Sequence, residues 1–164
     1  MHHLKRELNK VQALFDRCGN GRRVVWSDPF CQADIESWER KSECLLPPSY
    51  RSLVAEHGVF CVGDASTPAG ANYSRFESGS LVMLPLPDCS ELFDREDLDD
   101  LWLFQYDSDS SSDDYYAFDP LLPAVDGELR VVPVFHDDVY ERRFWADAPT
   151  FGSHIEALVR RLLE

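Results

Sequence analysis

The chain has 164 residues, 44% of them hydrophobic, which suits one globular domain with its own core. A chain of this length buries roughly 70% of its unfolded surface, so it needs no metal or disulfide for stability. Its formal net charge is −14, from 30 acidic and 16 basic residues, and this balance disfavours direct binding to nucleic acids or anionic membranes. A basic protein is the partner that such a charge favours.

The acidic excess is concentrated in one segment. Residues 88–119 contain 12 acidic side chains against the single base Arg95, so this segment carries −11 of the net charge. The rest of the chain is only mildly acidic, with 18 acidic and 15 basic residues. We therefore expect these residues to form a negative surface that attracts a basic partner before contact.

Cysteine usage and hydropathy indicate the compartment. The 5 cysteines are widely spaced and include no Cys-x-x-Cys pair, which argues against a disulfide framework and a four-ligand zinc site. No apolar run approaches the roughly 18 residues that a membrane span requires. The first residues alternate apolar and charged side chains, unlike a signal peptide. We expect a cytoplasmic protein with free thiols and without a metal or other cofactor.

The N-terminal residues predict an amphipathic helix and then an extended segment. Val24-Val25-Trp26 is compatible with a short strand or with an extended arm. The helix has its apolar residues at helical spacing, namely Leu4, Leu8, Val11 and Phe15.

Residues 35–58 predict two short helices separated by a hinge. Pro47 and Pro48 lack amide hydrogens and restrict the residues before them, so one helix must end and another begin there. Gly58 stands where a helix C-cap requires a residue that is free to adopt positive φ. The second helix has one apolar face, made of Tyr50, Leu53, Val54 and His57.

The middle of the chain predicts strands. The runs are 59–62 as the first strand of the main sheet, 81–86, the central 101–106, 115–119 as its hairpin partner, and 131–135. A short acidic helix is predicted at 90–97. Ser153 and Glu156 predict a capping box at the start of a final amphipathic helix.

This order of elements predicts the α+β class. We expect a single domain with a mainly antiparallel or mixed sheet of about five to six strands, flanked by N-terminal helices and a C-terminal helix.

Several short motifs, taken in this order, resemble a known family. They are Glu39, Leu46-Pro47, Tyr50, Leu53 and Gly58, followed by the aromatic strand that ends at Asp119 and by the closing helix. The chain is similar here to the SUKH superfamily of Knr-like and Syd-like proteins, which includes many bacterial toxin-immunity proteins. The resemblance covers about residues 32–163. We therefore interpret 1–31 as an N-terminal helical extension and 32–164 as a SUKH-like α+β domain.

The resemblance implies a protein that acts by binding and not as an enzyme. We expect an immunity protein that neutralises a cognate toxin of a polymorphic toxin system. The acidic segment indicates a basic target, and a nuclease toxin fits because it must bind phosphate. The alternative, from the same superfamily, is a regulatory or scaffold module without a toxin partner. Neither the toxin nor the oligomeric state follows from the sequence.

The predicted partner-binding surface combines carboxylates with tyrosines. An exposed aromatic ring inside an acidic rim has the composition of an interface anchor. Because alternate residues of a strand face opposite sides, two adjacent tyrosines cannot both point to the same side. The predicted set is Glu96, Asp97, Asp99, Asp100, Asp107, Asp109, Asp113, Asp114, Tyr115 and Tyr116.

Three other patterns suggest different chemistry, and each has a simpler structural explanation. The 107–114 loop offers carboxylates at the first positions of a calcium loop but lacks the later Gly and Glu, so a weak cation site competes with a solvated hairpin loop. His136 and its neighbouring aspartates would need further ligands to hold a metal. Cys61 lies in an apolar run and is expected in the core. A small hydrolase would need a pocket with convergent groups around His136 or Cys61.

Overall fold

A computed structural model of the chain describes residues 2–19, 21–41, 43, 45–64, 81–83, 98, 100–107, 114–135 and 140–164. The helices in these ranges are α1 (His2–Cys18), α2 (Gln32–Lys41), α3 (Pro48–His57) and α4 (Phe151–Leu163), with a 3-10 helix at Arg142–Trp145. The strands are β1 (Arg22–Trp26), β2 (Phe60–Asp64), β3 (Leu81–Met83), β4 (Trp102–Asp107), β5 (Asp114–Asp119) and β6 (Arg130–Val134). Within these ranges, none of the helices combines the length and the apolar character that crossing a bilayer requires.

The strands form one sheet in the order β1-β2-β3-β4-β5-β6, and every neighbouring pair is antiparallel. Helices α2 and α3 lie in the connection between β1 and β2. The α+β class predicted from the element order is confirmed, as is the predicted β4–β5 hairpin. Only 81–83 of the predicted 81–86 strand lies in the described part, and the helix predicted at 90–97 lies outside it.

Helices cover one face of the sheet. Phe104 of β4 stacks on Phe118 of β5 with ring centroids 4.3 Å apart. Tyr50 of α3 meets Phe118 at 5.3 Å and Phe151 of α4 at 5.1 Å, both edge to face. These rings join the buried apolar residues of all four helices in the larger hydrophobic cluster. Aromatic packing therefore links the sheet to α3 and α4.

The opposite face of the sheet carries a second, smaller hydrophobic cluster. Its strand residues include Cys61, Leu103, Ala117 and Val134. The segment 140–148 contributes Tyr140, Trp145 and Ala148 to this cluster. The segment 140–148, which contains the short 3-10 helix, therefore covers this part of the sheet.

A β-bulge in β4 changes the direction of one side chain. Leu103 pairs with Ala117, but Gln105 pairs with Tyr116, so Phe104 is the extra residue. In such a bulge two successive side chains point to the same side. Phe104 accordingly lies in the aromatic core, and Gln105 bonds His154 of α4 at 2.8 Å.

The N-terminal segment packs on the core. Leu8 and Val11 of α1 are fully buried, and β1 pairs with β2 over its whole length. The Gln12 side chain accepts a hydrogen bond from the Val24 amide at 2.7 Å, which satisfies a donor on the outer edge of β1. Residues 24–26 are thus a strand rather than an arm. β1, and not the predicted 59–62 run, is the first strand of the sheet.

The predicted helix ends have opposite outcomes. Gly58 ends α3 with φ of 80°, as predicted. The predicted capping box of Ser153 and Glu156 is wrong, because α4 begins at Phe151 and its N-cap is Thr150. Thr150 bridges Arg130 of β6, and this pairing holds the backbone extended as far as the start of the helix.

Candidate interaction surfaces

Acidic residues gather at one end of the sheet. Asp64 ends β2, Asp107 ends β4 and Asp114 begins β5. Asp107 and Asp114 are direct register partners, and Leu81 of β3 pairs with Asp107 on its other side. We call Asp107 and Asp114 the acidic end; Asp64 has the basic residue Arg22 of β1 as its register partner. Two like charges directly opposite each other on neighbouring strands repel and destabilise the pairing.

The structure does not bring Asp100 to the acidic end. Asp100 precedes β4, seven residues from Asp107, which corresponds to about 20 Å along an extended strand. Its exposed carboxylate pairs with Arg142, with 3.6 Å between Oδ2 and Nη2. The other predicted acidic residues, Glu96, Asp97, Asp99, Asp109 and Asp113, lie outside the described residues.

The two predicted tyrosines lie on opposite faces of β5, as expected. Tyr115 packs against the smaller hydrophobic cluster, on the face opposite α3 and α4. Tyr116 packs against the helix-facing cluster, where its ring lies 4.6 Å from that of His154. Both side chains are half-buried. Tyr115 therefore borders the face of the sheet that the segment 140–148 covers.

A buried carboxylate anchors this segment. Asp119, at the end of β5, is fully buried and accepts hydrogen bonds from the Tyr140 hydroxyl at 2.7 Å and the Arg142 Nε at 2.6 Å. The Leu121 amide donates a third at 2.8 Å. Three donors, one of them cationic, offset the cost of taking this carboxylate out of water.

The pKa values of the two side-chain donors reflect this setting. Burial and the hydrogen bond to Asp119 raise the pKa of Tyr140 well above its ordinary value, so the phenol stays protonated. The same carboxylate raises the pKa of Arg142. The sequence analysis located Asp119 but not these donors. They lie 21 and 23 residues further along the chain, where no short-range pattern links them to Asp119.

A groove of about 350 Å³ lies between the end of β6 and the 3-10 helix. Phe144 at its rim is 68% exposed, and among the described residues it is the only aromatic that is so open to solvent. The Arg143 guanidinium lies 4.8 Å from the centre of the Phe144 ring. We call this site the aromatic groove; its lining includes Val134, Phe135, Tyr140, Glu141, Phe144 and Trp145. The groove is not among the predicted sites, although the adjacent Phe144-Trp145 pair is a sequence signal for it.

A larger groove of about 540 Å³ runs between α1 and α4. Its lining is mainly apolar, with Leu4, Ile155 and Val159, and it carries charges only from Glu7, Glu156 and Arg160. Cys61 lies in neither groove. It is buried, as predicted, and burial raises the pKa of its thiol to about 11, which disfavours the thiolate that a nucleophile requires.

Metal-binding side chains do not assemble in the described part of the chain. No three His, Cys, Asp or Glu residues come together there in a metal-binding arrangement. His136, Asp137 and Asp138 lie outside the described residues.

No protein-family model matches this chain, and no curated protein matches it either.

Proposed function

We propose that this chain is a cytoplasmic, non-catalytic immunity protein of the SUKH type, which binds and neutralises a basic toxin domain through its acidic end. The observation that carries the proposal is the direct pairing of Asp107 with Asp114. Like charges directly opposite each other on neighbouring strands destabilise the pairing. A lysine or arginine of a partner placed between them would convert this repulsion into attraction.

The charge of the surrounding segment supports the same interpretation. Residues 88–119 contribute −11, and such a concentration accelerates the encounter with a positively charged protein at low ionic strength. A nuclease toxin is the target class that fits best, because a nuclease needs a basic surface to hold phosphate. Carboxylates of the immunity protein would occupy that surface in place of nucleic acid.

Among the described residues, the titratable groups with shifted pKa values support binding rather than catalysis. Cys61 is in the core, Tyr140 and Arg142 hold Asp119, and His154 bonds Gln105. Each of these groups has a structural partner or a core position that accounts for its pKa. None of them needs a substrate to explain it.

The test begins with capture of partners from lysate of the source cells, at about 50 mM and about 500 mM salt. Charge-driven binding is strongly screened at the higher concentration. Recovery of a basic toxin domain at low salt supports the proposal. Recovery of a cell-wall, secretion or regulatory factor instead would favour the scaffold alternative.

Association kinetics with the captured toxin domain then test the acidic end. Replacing Asp107, Asp109, Asp113 and Asp114 together by Asn is expected to slow association about tenfold or more at low salt. A matched control replaces Asp28, Asp34, Asp126 and Asp147 by Asn. These four are exposed and change the net charge equally, but they lie away from the acidic end. Equal association rates for the two variants would show that the acidic end is not part of the interface.

A further inference from the structure

Four residues of α4 line the groove between α1 and α4 along one side of the helix. Their spacings of four, four and three residues place them within about 80° of one another around the helix axis. The groove that they border has a volume of about 540 Å³ and an apolar floor. We call these residues the α4 stripe, namely Gly152, Glu156, Arg160 and Leu163.

The first residue of the α4 stripe leaves a gap. Apart from its chain neighbours and the helix backbone, a Cβ added at Gly152 would meet no atom of the described residues within 4 Å. Gly152 is not among the residues with positive φ, so its backbone conformation does not require glycine. Within a helix, glycine is about 1 kcal/mol less favourable than alanine. The gap therefore has a cost in helix stability that no contact of the described residues explains.

The last residue of the α4 stripe is a projecting apolar side chain. Leu163 is 37% exposed, whereas Ile155 and Val159, which line the same groove, are buried. A leucine side chain is of a size to fill the gap at Gly152. Within one molecule the two positions lie about 16 Å apart along the helix axis, so they cannot meet.

Two opposite charges lie between the gap and the projecting leucine. Glu156 and Arg160 are both exposed, and neither forms an ion pair with another of the described residues. They are one helical turn apart on the same side of α4. Both charges therefore remain available to a partner that presents the opposite order of signs.

A second copy of the chain presents that order when its α4 lies antiparallel to the first. Leu163 of each copy then faces Gly152 of the other, and Arg160 of each copy faces Glu156 of the other. Both pairs are centred within half a residue of position 158, so a single two-fold axis relates them. Closed two-fold dimers, in which the same patch is used twice, are the commonest oligomers of soluble proteins.

The charge of the two helices permits this approach. Together α1 and α4 contain six basic and three acidic residues, although the whole chain has a net charge of −14. Two copies that meet through these helices keep their acidic excess away from the contact. Long-range repulsion between the copies is therefore smaller in this orientation than it would be between acidic surfaces.

We propose that the α4 stripe is the interface of a two-fold homodimer in which the α4 helices of the two copies pack antiparallel. Leu163 supplies the apolar contact at the Gly152 gap, and Arg160 and Glu156 form two reciprocal ion pairs. Small residues at such a crossing let the helices approach closely. The interface includes no residue of the acidic end, so it goes beyond the proposed function and does not rest on it.

Sedimentation velocity of the whole chain measures the dimer. The wild type is expected to pass from monomer to dimer between about 5 µM and about 200 µM at about 50 mM salt. Glu156→Arg and Arg160→Glu each place like charges opposite each other in a homodimer, and each is expected to weaken dimerisation at least about tenfold. An equimolar mixture of these two variants should form dimers at a concentration at which neither does alone. In the mixture every arginine faces a glutamate, and pairing within one helix cannot produce this rescue.

A second pair of variants tests the gap. Gly152→Leu fills it and is expected to weaken dimerisation at least about tenfold, since Leu163 of the other copy loses its place. Ala157→Leu adds the same side chain at an exposed position of α4 that does not line the groove, and it should leave dimerisation unchanged. Circular dichroism checks that all variants keep the fold.

The outcomes that overturn the proposal are separate from those that test toxin binding. A wild type that stays monomeric at about 200 µM would exclude the dimer. Dimers that persist in Glu156→Arg, or that Gly152→Leu and Ala157→Leu weaken equally, would use another surface. A mixture of the two charge variants without dimers would contradict the reciprocal pairing. None of these results bears on the acidic end, whose variants are tested by association with the toxin domain.

Discussion

At the scale of single residues, Gly58 shows how one position can serve two purposes. Its φ of 80° ends α3, and its amide donates to the Val54 carbonyl at 3.1 Å. The chain that follows β1 also crosses directly over it. A Cβ at Gly58 would overlap Ser27 Oγ and would lie 2.6 Å from the Asp28 carbonyl oxygen. The sequence predicted the cap, but the crossing depends on a contact between distant segments.

Replacing Gly58 by Ala is therefore expected to destabilise the protein by about 3 kcal/mol, because backbone strain and steric overlap add. Urea denaturation would measure the loss in free energy of unfolding. Gly19→Ala is the control, since Gly19 has φ of 62° but nothing within 4 Å of an added Cβ, and it should lose only about 1 kcal/mol. If both variants lost the same free energy of unfolding, the close approach of Ser27 and Asp28 would add no cost at Gly58.

The position of Gln105 depends on the pairing of two strands. It lies within an apolar run that predicts a central strand buried on both faces, but nothing in the sequence indicates that its side chain bonds a helix. Its position follows from the bulge at Phe104, which turns both side chains toward α4. A bulge arises from the pairing of two strands, and no single strand sequence specifies it.

At the scale of elements, the start of α3 is stabilised by a residue 79 positions away. Glu128 accepts a hydrogen bond from the Ser49 amide at 2.8 Å and another from the Ser49 hydroxyl at 2.7 Å. Glu128 is placed by a tight turn in which Asp126 and Gly127 both have positive φ, at 53° and 79°. A carboxylate at a helix N-terminus satisfies free amides and favours the helix dipole.

Glu128→Ala is expected to reduce the free energy of unfolding by about 1.5 kcal/mol, because it leaves the Ser49 amide without its acceptor. Chemical denaturation gives the loss, and amide exchange should report earlier opening of the first turn of α3. Glu156→Ala provides a matched control on the exposed face of α4 and should stay within about 0.5 kcal/mol of the wild type. If both variants lose the same free energy of unfolding, the contact between Glu128 and Ser49 does not stabilise α3.

The turn that places Glu128 has a recognisable sequence. Asp-Gly is a common pair in two-residue turns that need positive φ at both positions, and it stands here at 126–127. The turn itself was therefore predictable. Its use as a cap for α3 was not, because the helix and the turn meet only when the sheet and the helices pack together.

At the scale of the whole molecule, His154 joins the last helix to the centre of the sheet. Its Nε2 lies 2.8 Å from the Gln105 side-chain oxygen, and burial, with a smaller effect of Arg161, lowers its pKa to about 4. In the unfolded chain the pKa of histidine is about 6.5. Between these two values the unfolded state binds a proton that the folded state does not, so stability rises with pH.

The protein is accordingly expected to lose about 2 kcal/mol of stability through His154 as the pH falls from 7.5 to 5. His154→Gln removes this titration. As the pH falls from 7.5 to 5, its free energy of unfolding relative to that of the wild type should therefore rise by about 2 kcal/mol. Urea denaturation at several pH values would measure both curves. Curves that stay parallel from pH 7.5 to 5 would show that His154 does not titrate in this way.

The acidic segment shows the limit of a charge count. Its total of −11 is a property of the sequence, but Asp100 and the Asp107–Asp114 pair stand at opposite ends of β4. Asp100 pairs with Arg142, whereas Asp107 and Asp114 are register partners on neighbouring strands. The total charge of a segment does not say which of its carboxylates pair with bases elsewhere in the chain, as Asp100 does with Arg142.

The sequence by itself determined the α+β class, the two helices around Pro47-Pro48, the Gly58 cap, the β4–β5 hairpin and the opposite directions of Tyr115 and Tyr116. These features follow from periodicity, proline and glycine chemistry and strand alternation, all of which act over a few residues. The tertiary structure decided the start of α4, the Asp119 cluster, the Glu128 cap and the aromatic groove. Each of these depends on segments that are distant in the chain and meet only when the hydrophobic surfaces of the helices and the sheet are buried together.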